Sequence, residues 1–390
     1  MHIAWLGKKS PFCGNVTYGR EITNALLDRG YQVSFLHFAQ TQNEYQHHSS
    51  YKADRQTWLT CPEIPLPFLY KSQVYTIPSF KSSKVLLRSL KQLKPDLVHA
   101  SLTLSPLDFL LPEICEELDI PLIATFHPPF DSKIRNLKSS TQYLTYQLYA
   151  PFLARYHRTI VFSEIQRDLL IKLGVPGDRV TIIPNGVDEQ KYSPGYSRLK
   201  YQLNAKKLFV YQGRISTEKN VEALLKAWKH SDMGKDCQLL IVGDGPLRSS
   251  LQPQYGKEHN IIWLGFVSEE QQRINILRAS DIFVLPSLVE GLSISLLEAM
   301  ACGVACFATD AGADGEVLEA GAGVVLDTQN VTSQLKIILP LFRDHPEMTS
   351  LLGQKARQRV LERYTLNQNL TRLEQLYGEV VDKKIFSASN

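Results

Sequence analysis

The chain has 390 residues, enough for two domains or three at roughly 100–200 residues each. Hydrophobic residues make up 44% and charged residues 21%, with 20 Pro and 22 Gly, which excludes a largely disordered, collagen-like or low-complexity protein. The net charge of +4 is too small to mark a nucleic-acid binder, and none is expected as a partner.

The chain opens on an apolar run, Ile3–Leu6, that reads as a buried strand. Lys8 and Lys9 follow this run, whereas a signal peptide carries its charges first, so no export is expected. No run approaches the ~18–20 apolar residues of a membrane span. A helix is predicted near Thr17–Arg29, a strand at Gln32–Phe38 and another at Leu97–Ala100. A helix near Pro106–Leu118 and a strand at Leu122–Phe126 follow. The rhythm restarts after residue 205. Strands are predicted at Leu208–Gln212, Gln238–Val242, Ile261–Leu264, Ile282–Leu285 and Ala305–Ala308, with helices at Val221–Lys229 and near Ser295–Ala301. The predicted fold class is therefore α/β, two Rossmann-like doubly wound domains with a cleft between them. The domains are expected at 1–190 and 191–365, joined in polar Gln190–Asn204. Residues 366–390, with a helix at Asn367–Glu379, are expected to cross back to the first half. Cys13, Cys61, Cys115, Cys237, Cys302 and Cys306 form no CxxC pair, which predicts reduced thiols and no zinc site.

Ligands of open α/β sheets bind beyond the carboxyl ends of strands, so the loops after strands carry the search. After Ile282–Leu285 comes Glu290-Gly-Leu-Ser-Ile-Ser-Leu-Leu-Glu298. Gly291 permits close backbone approach, Ser293 or Ser295 can cap the next helix, and that helix start suits a phosphate. Glu298, one turn in, can hold two ribose hydroxyls, and Glu290 can reach a sugar ring. Either glutamate alone would be read as a helix-start residue. A second loop, Gly213-Arg214 to Lys219-Asn220 after Leu208–Gln212, adds two cations suited to an anionic leaving group. Gly243-Asp-Gly-Pro and Pro184-Asn-Gly-Val-Asp are weak by themselves.

In this order and spacing the loops resemble the retaining glycosyltransferases of family 4, of GT-B architecture. The resemblance implies a second domain that binds a nucleotide sugar. Arg214 and Lys219 would contact the diphosphate, with backbone amides near Leu292, Ser293 and Ile294. Glu298 would hold the ribose and Glu290 the transferred sugar, with Gly265, Phe266 and Val267 by the nucleobase. In the first half, the Gly7–Gly14 loop would face the donor phosphate, although Cys13 stands where the family often has a second glycine. His127, after Leu122–Phe126, occupies the position of a histidine that borders the sugar. His127, Arg214, Lys219 and Glu290 are the expected catalytic group, and Gly14, Gly213 and Gly243 complete the donor-binding set. No Asp-x-Asp occurs, so metal-independent transfer with retention is expected, and no cofactor.

Two segments of the first half lack acidic residues. Ile64–Pro95 carries six basic residues, and Ser132–Ser163 carries Lys133, Arg135, Lys138, Arg155 and Arg158. On Ser79–Lys94, helical spacing puts Lys81, Lys84, Arg88 and Lys91 on one face and Leu86, Leu90 and Leu93 on the other. With Tyr143 and Tyr146, these residues predict contact with an anionic membrane surface and a lipid acceptor. A helix that packs its leucines and solvates its lysines is the plainer alternative. The Gly291–Gly303 run, the Thr309–Glu316 loop and the opening Trp5–Gly14 stretch are similar to those of cyanobacterial digalactosyldiacylglycerol synthases. That resemblance implies galactose transfer from UDP-galactose to monogalactosyldiacylglycerol, by a peripheral protein on the cytoplasmic side of a thylakoid or plasma membrane. A transferase with a soluble acceptor and a catalytically silent nucleotide-sugar sensor are the competing readings.

Overall fold

A computed structural model describes residues 1–10, 14–39, 61–72, 75–102, 104–130 and 137–388. The chain divides into two compact units. Unit 1 holds residues 1–128, 134–184 and 370–390; unit 2 holds 129–133 and 185–369.

In unit 1 the elements are β1 (His2–Gly7), α1 (Gly14–Asp28), β2 (Gln32–Phe38), β3 (Glu63–Leu66), β4 (Phe68–Lys71), β5 (Thr76–Pro78) and α2 (Ser82–Leu93). There follow β6 (Leu97–Ser101), α3 (Leu111–Glu117), β7 (Leu122–Thr125), α4 (Leu137–Leu153), β8 (Arg158–Val161), α5 (Glu164–Lys172) and β9 (Val180–Ile182). Seven strands form one parallel sheet in the order β3-β2-β1-β6-β7-β8-β9. The order reverses between β1 and β6, so the loops after those strands open at a topological switch point. The strands are apolar along most of their length because helices cover both faces of such a sheet.

Unit 2 contains α6 (Leu199–Gln202), β10 (Lys207–Gln212), α7 (Val221–His230), β11 (Cys237–Val242), α8 (Arg248–Leu251), β12 (Ile261–Gly265) and α9 (Glu270–Ala279). It continues with β13 (Ile282–Leu285), α10 (Ile294–Ala301), β14 (Ala305–Thr309), α11 (Asp314–Val317), β15 (Val324–Leu326), α12 (Val331–Asp344) and α13 (Pro346–Arg363). Its sheet runs β12-β11-β10-β13-β14-β15, all parallel, with the switch point between β10 and β13. The last helix, α14 (Leu366–Ala388), belongs to unit 1 from Leu370 on. There Tyr377 is fully buried with its hydroxyl 2.5 Å from His99 Nδ1, and Glu374 pairs with Arg29.

Several local expectations shift. The predicted helix at Pro106–Leu118 breaks into a 3₁₀ turn, Pro106–Phe109, and α3. Ser105 and Asp108 form a reciprocal cap at the start of that turn. Helix α2 starts only at Ser82, because Ile77 and Pro78 belong to β5 in a separate antiparallel hairpin with β4. It ends where Lys94 turns left-handed before Pro95. Among the described residues Cys61, Cys115, Cys237, Cys302 and Cys306 are buried free thiols; Cys13 lies outside them.

Candidate active site

The two loops picked out from the sequence meet at the switch point of unit 2, because β10 and β13 are neighbours. The loop after β10 turns on its own strand: the Tyr211 hydroxyl donates to Arg214 O at 2.7 Å. Leu288 N–H in the second loop donates to Glu218 O at 2.8 Å and stitches the loops together. Across this stitch Lys219 Nζ lies 2.5 Å from Glu290 Oε1, and Ser287 Oγ donates to the same oxygen at 2.7 Å. Arg214 lies 3.5 Å from Glu218, which also accepts from Ser216 Oγ at 2.6 Å. Burial opposes ionisation of Glu218, but the Ser216 bond, its own amide and the Arg214 and Lys219 charges hold its carboxyl below the usual value. Tyr211 is buried, and with the charges of Glu290 and Glu218 beside it its hydroxyl is pushed far up, which keeps it a neutral donor.

Glu298 is buried on α10 and accepts from Gln212 Nε2 at 2.9 Å. The carboxylate therefore faces the end of β10, as a ribose-holding residue requires. Ser293 caps α10 by accepting from Leu296 N–H. One expectation for this helix start needs correction. The Ser293 amide is not open to a phosphate, because it donates to Asp314 Oδ1 at 2.9 Å. Asp314 is fully buried, and burial followed by the nearby Glu290 charge drives its carboxyl well above the usual range. The turn before it lies against the glutamate loop: Ala313 N–H donates to Gly291 O at 2.7 Å. A Cβ on Gly312, at φ 59°, would come within 2.3 Å of Glu290 O. Leu292 is buried and donates no side-chain chemistry; its carbonyl accepts from Asn185 Nδ2 at 2.9 Å. Ile294, the first residue of α10, is partly exposed.

Gly213, Gly243 and Gly265 form a rung across three strand ends. Gly213 N–H donates to Val242 O at 2.9 Å and Gly243 N–H to Gly265 O at 2.7 Å. A Cβ on Gly243, at φ 135°, would fall 1.8 Å from Gly213 O, so strand packing alone requires glycine there. Phe266, next to this rung, is largely exposed, whereas Val267 is buried. The Pro184–Asp188 turn is structural, for a Cβ on Gly186 would lie 2.7 Å from Leu366 Cα.

In unit 1, His127 follows β7 and is partly exposed. Its Nε2 lies 2.8 Å from Ser101 Oγ. The Ser101 hydroxyl donates to Asn15 Oδ1 at 2.9 Å, and Asn15 Nδ2 donates to Leu102 O. With the serine proton so committed, Nε2 carries the imidazole proton and Nδ1 is left as an acceptor. Burial lowers the pKa of His127 to about 3, so the ring is neutral near pH 7. Gly14 starts α1, and a Cβ there would meet open space. Asn15, Ser101, Gln212 and Ser287 are not announced as site residues by any spacing in the sequence, and Asp314 enters there only within the Thr309–Glu316 loop.

The membrane-contact expectations divide. Lys81, Lys84, Arg88 and Lys91 are exposed on α2, with Lys91 3.0 Å from Glu117. The second segment does not behave as expected. Tyr146 is completely buried, donates to Pro128 O at 2.8 Å and accepts from Gln166 Nε2 at 2.8 Å. It faces the core, so it cannot touch a membrane. Tyr143 is half-buried. Arg155 lies 3.4 Å from both Glu113 and Glu116, and Arg158 sits within β8 with its guanidinium on His157 O. Lys133 and Arg135 lie outside the described residues, as does the Lys138 side chain. Among the described residues no helix is long and apolar enough to cross a membrane.

Residues 14–191 match the family model for Glycosyltransferase Family 4, and residues 198–359 match that for Glycosyl transferases group 1. The chain is 27% identical over 325 residues to the UDP-Gal:alpha-D-GlcNAc-diphosphoundecaprenol alpha-1,3-galactosyltransferase of Escherichia coli, covering 79% of this chain and 81% of that one. It is 31% identical over 194 residues to a GDP-mannose-dependent monoacylated alpha-(1-6)-phosphatidylinositol monomannoside mannosyltransferase of Corynebacterium glutamicum, 46% of this chain and 50% of that one. The structure of Anabaena HepE in complex with UDP superposes with a TM-score of 0.75 at 17% identity, covering 97% of this chain and 100% of that one. Two consecutive matches, to Glycosyltransferase Family 4 and to Glycosyl transferases group 1, together span most of the chain on a GT-B fold of two Rossmann-like units, and they support a glycosyltransferase of family 4 type.

Proposed function

We propose that the chain transfers a hexose, galactose first among them, from a UDP-linked donor to a membrane glycolipid such as monogalactosyldiacylglycerol. The observation that carries the donor half is the meeting of Lys219 and Glu290 at the switch point of unit 2, 2.5 Å apart. Lys219 and Arg214 supply the cations for a departing diphosphate, the start of α10 adds its dipole, and Glu298 takes the ribose hydroxyls. Glu290, released from Lys219, is free to receive a sugar hydroxyl. The acceptor hydroxyl then attacks from the face the diphosphate leaves, the phosphate takes its proton, and configuration is retained. No metal is required in this reading, because the two cations do its electrostatic work.

The acceptor half draws on the relatives. The E. coli protein is named for a diphosphoundecaprenol-linked acceptor and UDP-Gal, and the C. glutamicum protein for a phosphatidylinositol mannoside. The exposed basic face of α2 suits a peripheral position on the cytoplasmic side of a thylakoid or plasma membrane.

The test is incubation of the purified protein with radiolabelled UDP-galactose or UDP-glucose, total membrane lipid and EDTA. A labelled glycolipid with an α-anomeric linkage is expected. Label only in water-soluble glycosides would overturn the lipid acceptor. Loss of turnover with EDTA, restored by a divalent ion, would overturn metal independence. Donor binding with no transfer to any acceptor would overturn the enzymatic reading.

A further inference from the structure

The hairpin of β4 and β5 stands apart from the seven-stranded sheet and turns apolar side chains outward. Leu69, Tyr70, Tyr75 and Ile77 are each about half exposed, and Phe80, between the hairpin and α2, is 92% exposed. Tyr70 and Tyr75 pack on each other with ring centroids 5.7 Å apart. A soluble surface seldom concentrates five such side chains on one small element. The element is held in place. Lys71 Nζ donates to Ala39 O at 2.7 Å and to Ser10 Oγ at 2.9 Å, and Ser82 Oγ donates to Pro67 O at 2.6 Å. The Lys71 bonds tie the turn end of the hairpin to the segments after β1 and β2, and the Ser82 bond ties its base to the start of α2. Immediately beyond Phe80, Lys81 at the N-cap of α2 and Lys84 and Arg88 on it are exposed, and no acidic residue occurs anywhere from Ile64 to Pro95.

We propose that the β4–β5 hairpin and Phe80 sink into the headgroup–acyl boundary of an anionic bilayer while Lys81, Lys84 and Arg88 rest on its headgroups. Aromatic side chains favour that depth, and basic residues beside them gain from the surface potential. An acidic protein partner would match the lysines but would leave Phe80 without a reason to be exposed. The inference rests on the lipid-acceptor reading for its purpose, yet it concerns a different surface from the donor site. Because Lys71 links the hairpin to the post-β1 loop, docking would also fix that loop relative to the lipid surface.

The experiment is flotation of the intact protein with vesicles of phosphatidylcholine alone or mixed with phosphatidylglycerol, with neither donor nor acceptor present. Binding to the mixed vesicles is expected. Lys81→Gln/Lys84→Gln should weaken it about 30-fold, and Tyr70→Ser/Phe80→Ser at least about 10-fold. Arg155→Gln, already paired with glutamates, should bind like the wild type. UDP binding by each variant reports that it is folded. Equal binding of wild type and both double variants, equal binding to the two vesicle types, or no binding at all would overturn the proposal. Transfer to a detergent-dispersed glycolipid, unchanged in the double variants, separates docking from the acceptor assignment.

Discussion

Lys219 Nζ and Glu290 Oε1 stand 2.5 Å apart at the junction of two loops that follow neighbouring strands. Each charge answers the other. In the proposed reaction a donor diphosphate takes Lys219 as its partner, and its charge grows as the sugar departs. Lys219→Ala is therefore expected to lower kcat/KM for transfer about 100- to 1,000-fold, by analogy with loss of one preorganised charge-stabilising donor. Steady-state kinetics with labelled donor measures this, and near wild-type turnover would sink the assignment.

Glu290→Gln removes the competitor for Lys219 while leaving a group that can hydrogen-bond a sugar. UDP alone should bind this variant at least as tightly as the wild type, whereas transfer should slow. Titration calorimetry and turnover, read together, test the split. Weaker UDP binding would show that the pair does not restrain Lys219.

Asp314 places a carboxyl inside the protein with its pKa raised, mainly by burial. Above pH ~4 the unfolded chain releases this proton while the folded chain keeps it, so folding loses stability as pH rises. Asp314→Asn keeps an acceptor for Ser293 N–H and has no proton to release. The variant's stability should decline less than the wild type's between pH 4 and 7, as read from urea midpoints. Parallel curves would mean that Asp314 is ionised in the folded protein.

His99 and His127 act in the opposite direction. Burial holds both at about 3, and for His99 the neighbouring His127 adds to the effect. Below pH ~6.5 the unfolded histidines take up protons that the folded ones refuse. Stability should fall with acid by about 1.4 kcal/mol per pH unit for each ring. Denaturation at pH 7.5 and 5.5 checks this, and His127→Gln should remove about half of the slope.

Gly243→Ala sets a methyl group against Gly213 O at a backbone angle that disfavours side chains. A loss of at least about 3 kcal/mol is expected. Gly14→Ala, facing open space, should leave stability unchanged. Chemical denaturation of the two variants separates a glycine required by packing from one that is not.

The proposed donor site was legible because its residues come in short runs after strands. Gly213 to Lys219 and Glu290 to Glu298 each declare a loop and a helix start. Their supports were not legible: Gln212, Ser287 and Asp314 act across strands and turns, where no spacing rule connects them. On α4 the sequence misled. Tyr146 was expected at a membrane surface, yet Tyr146 and Tyr149 are buried while Leu144 and Leu148 are exposed. The buried pair is favoured because Pro128 O, Gln166 and Asp108 satisfy the phenols. The β4–β5 hairpin was hidden for another reason: its strands are short and bounded by Pro67 and Pro78, so they show no alternation long enough to read.

The return of α14 to unit 1 bears on how this protein can be cut and recombined. A fragment ending at Pro184 would lack Tyr377 and leave His99 without its lid, and Arg29 without Glu374. Unit 1 is thus encoded in separate stretches of the chain, with most of unit 2 inserted between them. A chimera that borrows the first unit of another protein of this fold must therefore take that protein's carboxyl-terminal helix as well, or supply a replacement for the tyrosine that closes over the sheet.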